Sequence, residues 1–309
     1  MPTPLKSEHT DIFPFENKIF PFSSVMIVVA GILMALFAIY AGTWYYQHRS
    51  AQQKRTATPP NSATVPTVFP SDSFGLSQEF PNEAIAEAHR KGLLISHLTF
   101  GDGQWALGCS NDLGFTGQQI HASEDFPKEA IAAAWANGYQ ITSLNYGGGK
   151  WVVIMSSDCT LGLQQWYTTP SFPQDQIAMA WDSRYQVTNL AYGQGVWALS
   201  LSQGSDYSLQ QWVKSPTLPL SEIETGWGNG YRITSIAHGD GEWSVVMSQL
   251  GRESEQYCHS QHGFPEAEIA KGNANGYRVT NLAFADGIWF LVMTRYGHKV
   301  PASANSLSA

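Results

Sequence analysis

An α+β repeat of five 46-residue αβββ units, closed into a five-bladed α/β propeller-like ring and preceded by one transmembrane helix, is the fold the sequence predicts. Three observations carry it. Ile85, Ile131, Ile177, Ile223 and Ile269 recur every 46 residues, and Trp105, Trp151, Trp197, Trp243 and Trp289 keep the same interval without an insertion or deletion. Each copy carries the pattern of one helix followed by three strands. A 22-residue stretch without charge, Val25 to Tyr46, precedes the copies.

That stretch follows a tail over residues 1–24 and is long enough, at about 1.5 Å per residue, to cross a hydrocarbon core as a helix. Trp44, Tyr45 and Tyr46 close it with side chains that favour the membrane interface. A signal sequence would have a shorter apolar core and a small-residue cleavage site, so residues 25–46 read as an uncleaved anchor. Arg49, Lys54 and Arg55 after it lean towards a cytoplasmic C-terminal domain, whereas a short tail before a single anchor leans the other way; the side stays open. Residues 47–71, rich in Ala, Thr and Pro and without period, read as a linker. The ring domain is expected over 72–297 and a disordered polar tail over 298–309.

Within a unit, 126–138 (FPKEAIAAAWANG) places Pro127 in a first helical turn, Ile131 and Trp135 on one face, and Gly138 at the end. YQITSLNY (139–146) is a strand of β-branched and aromatic residues, and GGG (147–149) is a tight turn, matched by GDG at 101–103 and 239–241. WVVIMS (151–156) is apolar throughout, as in a strand covered on both faces, and LQQWY (163–167) gives a third strand. The fifth copy stops after its second strand, so DSFGLSQEF (72–80) is expected to complete it and close the array. This cyclic element order resembles the pentein type of ring. An ordinary five-bladed all-β propeller, whose blades use four strands, is the runner-up and an open solenoid the third reading.

The motifs GYRITSIAHGDGEWSVVMS (230–248) and GYQITSLNYGGGKWVVIMS (138–156) resemble the uncharacterised repeat domain that follows the kinase domain in plant casein kinase I-type proteins and also occurs in bacterial proteins. The likeness spans residues 80–295 and rests on G-Y-x-[IV]-T-[SN]-[LI] followed by W-x-V-V-M-S. It implies a fold and a domain of unknown function. Kinase activity is not implied, because the Gly-rich nucleotide loop, HRD and DFG are missing from the sequence.

The net charge of −8 excludes a nucleic-acid partner that needs a basic face, and three cysteines cannot staple a scaffold. The internal copies then serve as controls on each suggestive residue. Cys109 aligns with Met155, Leu201, Met247 and Met293, a core position, and Cys258 aligns with Ile120, Trp166 and Trp212, so it reads as a packed thiol. Cys159 falls in a variable loop. His238 stands where other copies have Tyr or Phe, and His89 where they have Trp. Gln118, Gln164, Gln210 and Gln256 recur, which suits amides that satisfy backbone groups between neighbouring units.

One polar position recurs inside an otherwise apolar strand: His97, Ser143, Asn189, Ser235 and Asn281. In a ring these five converge as a polar collar around a central pocket and are the candidate ligand-binding residues. The competing expectation is local hydrogen bonding across each hairpin or to the next unit. No triad, phosphate loop or zinc spacing is present, so catalytic residues, a metal and a cofactor are all expected to be none. The function expected is a single-pass membrane-anchored, non-catalytic binding module, a sensor or scaffold, with an unknown protein or small molecule as partner. The alternatives are a pentein-like enzyme acting on a guanidine or amidine, or a structural envelope protein.

Overall fold

A computed structural model describes residues 73–297, and in it each 46-residue copy builds one three-stranded antiparallel sheet and one helix. The first unit is β1 (Ser73–Ser77), α1 (Asn82–Arg90), β2 (Leu94–Gly101) and β3 (Gln104–Ser110). The second is β4 (Gln118–Ser123), α2 (Lys128–Ala136), β5 (Gln140–Gly147) and β6 (Lys150–Ser156). The third is β7 (Gln164–Thr169), α3 (Gln174–Asp182), β8 (Gln186–Gly193) and β9 (Val196–Ser202). The fourth is β10 (Tyr207–Ser215), α4 (Leu220–Gly228), β11 (Tyr231–Gly239) and β12 (Glu242–Leu250). The fifth is β13 (Ser254–Gln261), α5 (Glu266–Ala274), β14 (Arg278–Ala285) and β15 (Ile288–Tyr296).

The sheet orders, β1-β3-β2 and its four equivalents, correct one expectation. Residues 73–77 do not complete the fifth unit. They pair with β3 of their own unit, Ser73 opposite Cys109 and Ser77 opposite Trp105, while β13 completes the fifth sheet, Gln256 opposite Thr294. The reason is the helix. Each helix joins two strands that run parallel on either side of the central one, and a parallel connection needs a long crossover, usually helical. The strand before a helix therefore belongs with that helix. The segment 25–46 and the flanking tail and linker lie outside the described residues; among the described residues no helix is long and apolar enough to cross a membrane.

Each helix begins directly after a proline, whose carbonyl accepts from the isoleucine four residues on, as Ile131 N to Pro127 O at 3.0 Å. The proline thus stands just outside the first turn rather than within it. At the other end Gly138 (φ 79°) donates to Trp135 O and Tyr139 to Ala134 O, a left-handed glycine stop. In α3 the equivalent residue is Arg184, at φ 61°. A β-carbon in that conformation costs energy that glycine avoids, so Arg184→Gly is expected to raise stability by about 1 kcal/mol. A lower urea midpoint would count against this.

The central strands are apolar on both faces because both faces are covered. In β6, Trp151, Val153 and Met155 join a core with Ile131 and Ala134 of α2, while Val152 and Ile154 join the core of the first unit. The pattern recurs from unit to unit, and Ala106 of β3 lies in the core of the fifth. All five recurring tryptophans are at most 2% exposed. Each first hairpin strand also lies against its counterpart in the next unit: β2 against β5, β5 against β8, β8 against β11, β11 against β14, and β14 against β2.

Candidate functional site

Those five hairpin strands share an irregularity. Register slips by one residue between Ile95 and His97, Ile141 and Ser143, Val187 and Asn189, Ile233 and Ser235, and Val279 and Asn281. A bulge of this kind turns two consecutive side chains where a regular strand would turn one. The extra residue is Ser96, Thr142, Thr188, Thr234 or Thr280. Both members of each pair border one cavity of about 210 Å³, so all five predicted residues, His97, Ser143, Asn189, Ser235 and Asn281, meet there.

Local hydrogen bonding and convergence hold together. Asn189 Nδ2 donates to Ser200 Oγ across its hairpin at 3.0 Å, and Asn145 Nδ2 donates to Ser143 Oγ at 2.9 Å. Ser235 Oγ accepts from Leu190 N of the third unit at 3.0 Å. The threonines are anchored to the ends of the central strands, Thr142 to Ser156 at 2.9 Å and Thr280 to Thr294 at 2.8 Å. An adjoining hollow of about 350 Å³ shares His97, Ser143 and Asn281 and is walled by Phe115 and Tyr207. Tyr207 borders both spaces.

His97 is the exception in the collar. It borders the cavity, its Nδ1 is buried without a partner, and its ring lies 5.9 Å from Phe74. Burial pushes its pKa down to about 4, against a smaller upward pull from the Thr280 backbone. The imidazole is therefore neutral at ordinary pH. The unfolded chain takes up this proton near 6.5, so the contribution to stability is full above that value and falls as pH drops towards 4. The loss is on the order of 3 kcal/mol. His97→Gln is expected to flatten this part of the stability profile between pH 7.5 and 4.5, measured by urea unfolding. His121, also lowered by burial, contributes equally to both proteins. An unchanged slope in the variant would contradict the assignment.

The recurring glutamines act between units. Gln164 Oε1 accepts from Ile141 N at 2.7 Å and from Trp135 Nε1 at 3.1 Å, and its Nε2 donates to Ile141 O and Ser202 Oγ. Gln118, Gln210 and Gln256 repeat the clasp, with His89 in place of tryptophan at Gln118. The equivalent position before β1 is Asp72, outside the described residues. All three thiols are pushed upward by burial, Cys109 to about 12, and Cys109 and Cys258 pack against apolar cores. His238 fills its aromatic position edge-on to Trp243 at 5.2 Å. Among the described residues no group of three His, Cys, Asp or Glu is placed to hold a metal ion. A larger hollow of about 410 Å³ beside α4, lined by Gln211, Glu222 and Met247, opens at the surface of one unit and contains none of the five collar positions.

Two features lie outside what the sequence pattern shows. Beside the collar residue, four units carry a recurring Thr-Ser or Thr-Asn pair and the first carries Ser96-His97, but a strict alternation places that neighbour on the opposite face. Tyr207 carried no signal, since it aligns with Phe115, Leu161 and Glu253. In comparison with known proteins, residues 62–148 and 146–298 match the family described as Domain of unknown function (DUF7477). No curated protein matches the sequence.

Proposed function

The chain belongs to the DUF7477 domain-of-unknown-function family, and we propose that its five units close into a propeller-like ring whose axial cavity binds a ligand without transforming it. In this proposal residues 25–46 tether the ring to a membrane through the linker over 47–71, as a sensor or scaffold. Closure is supported at the junction of the fifth and first units, where β14 lies against β2 and Thr99 Oγ1 donates to Leu282 O at 3.4 Å. Strand exchange plays no part in it; packing between first hairpin strands does. The likeness to a domain that follows kinase domains also suits a sensing role.

The binding reading rests on one observation: five polar positions, one from each unit, border a single cavity. The pentein-like alternative is disfavoured on chemistry. A nucleophilic cysteine needs a lowered pKa, whereas all three thiols are raised, and the side chains bordering the cavity include no carboxylate to hold a guanidinium.

Thermal unfolding of the full chain and of His97→Ala, each mixed with fractions of a polar metabolite extract, tests the reading. At least one fraction is expected to raise the midpoint of the unaltered chain and not that of the variant. No shift from any fraction, or equal shifts in both proteins, would remove the cavity as a binding site.

A further inference from the structure

The hydrogen-bonding state of the collar narrows what its cavity can take. None of the side chains bordering it is a lysine, arginine, aspartate or glutamate, and neither are those of the adjoining hollow. A charged ligand would leave water without an opposite charge to meet it, at a cost that neutral hydrogen bonds do not return.

The polar atoms that face the cavity are mixed in sense. Ser143 Oγ and Ser235 Oγ each already accept a bond, from Asn145 and from Leu190 N, and each keeps its own O–H proton to donate. Asn189 donates one Nδ2 proton to Ser200 and keeps its other N–H and its carbonyl oxygen. His97 borders the same cavity, with its Nδ1 enclosed. The uncharged collar thus offers both donors and acceptors. A ligand that meets both along its rim, with each group able to donate and accept, is a polyol. Tyr207 also borders the cavity, whose lining is almost entirely polar. A space of about 210 Å³ is small for a drug-sized compound and fits a single sugar-sized ring.

We propose that the axial cavity binds a neutral cyclic polyol, a monosaccharide or cyclitol, through His97, Ser143, Asn189 and Ser235. This rests on the binding role proposed above and specifies its ligand class.

Equilibrium dialysis of the full chain, held in a detergent without a sugar headgroup, tests it with labelled myo-inositol, D-glucose and D-galactose. At least one is expected to bind saturably, with glucose 6-phosphate and glucosamine weaker by about tenfold or more. Asn189→Ala and His97→Phe are each expected to weaken binding by about tenfold, with the near-ultraviolet dichroism of the buried tryptophans unchanged. Should either variant lose that spectrum, Asn281→Ala replaces it in the comparison. Failure of all three neutral compounds to bind overturns the proposal, as does binding that the cavity variants leave unaltered. Preferential binding of glucose 6-phosphate or glucosamine, abolished by the same variants, also overturns the ligand class while leaving the cavity as the binding site. The metabolite-fraction experiment decides that separate question.

Discussion

Trp197→Ala is expected to lower the unfolding free energy by about 3–5 kcal/mol, the range for an emptied aromatic site in a packed core. Trp197 is wholly buried in β9, with Phe172 edge-on at 5.3 Å and Tyr192 tilted at 5.1 Å. The two rings come from either end of the same unit, one before α3 and one before the hairpin turn, so the indole locks helix entry to hairpin. Its Nε1 has no hydrogen-bond partner among the described residues, so the loss is one of packing. Trp197→Phe, which keeps most of that packing, is accordingly expected to cost much less. Urea unfolding of both variants checks the pair. A near-neutral alanine variant would mean that the strand is not enclosed on both faces.

Gln210→Ala is the second large effect, roughly 2–6 kcal/mol, because it leaves more than one buried group unsatisfied at once. Its side chain accepts from Val187 N at 2.7 Å and Trp181 Nε1 at 3.0 Å and donates to Val187 O at 2.9 Å and Ser248 Oγ at 2.8 Å. Val187 is fully buried in β8, so its backbone N–H and C=O have little access to water as a substitute. Since Gln210 belongs to the fourth unit and Val187 to the third, the variant should also loosen the join between them. Hydrogen exchange at Val187 is expected to accelerate in the variant. Unchanged exchange there, with a loss under 1 kcal/mol, would reduce the clasp to a surface contact.

Much of this was legible in the sequence because five copies test one another. The tryptophans, the Asp-Gly turns and the glutamine clasps stood out because unrelated positions around them vary. Asp102, Asp240 and Asp286 all occupy the positive-φ turn position their Asp-Gly pairs suggested. What the period cannot fix is its own starting point. Helix–strand–strand–strand and strand–helix–strand–strand are the same string in a repeating chain, so the string alone does not say which sheet residues 73–77 join. Only the pairing of Ser73 with Cys109 sets the frame. The bulges were hidden for a related reason: a one-residue slip leaves the residue order intact and changes only which way Thr142 and its equivalents face.

Ring closure depends on the junction between the fifth and first units, and a single glycine there gives the sharpest test. A β-carbon on Gly101 would come within 2.4 Å of Phe284 in the fifth unit, as one on Gly147 would come within 2.0 Å of Phe100 in the first. Both contacts arise from an aromatic ring seated on the next unit's hairpin. In a closed ring, Gly101→Ala and Gly147→Ala in the full chain are therefore expected to destabilise alike, each by about 1–3 kcal/mol from overpacking. If Gly147→Ala destabilises while Gly101→Ala leaves the urea midpoint unmoved, the fifth unit does not meet the first, and neither the ring nor its axial cavity exists.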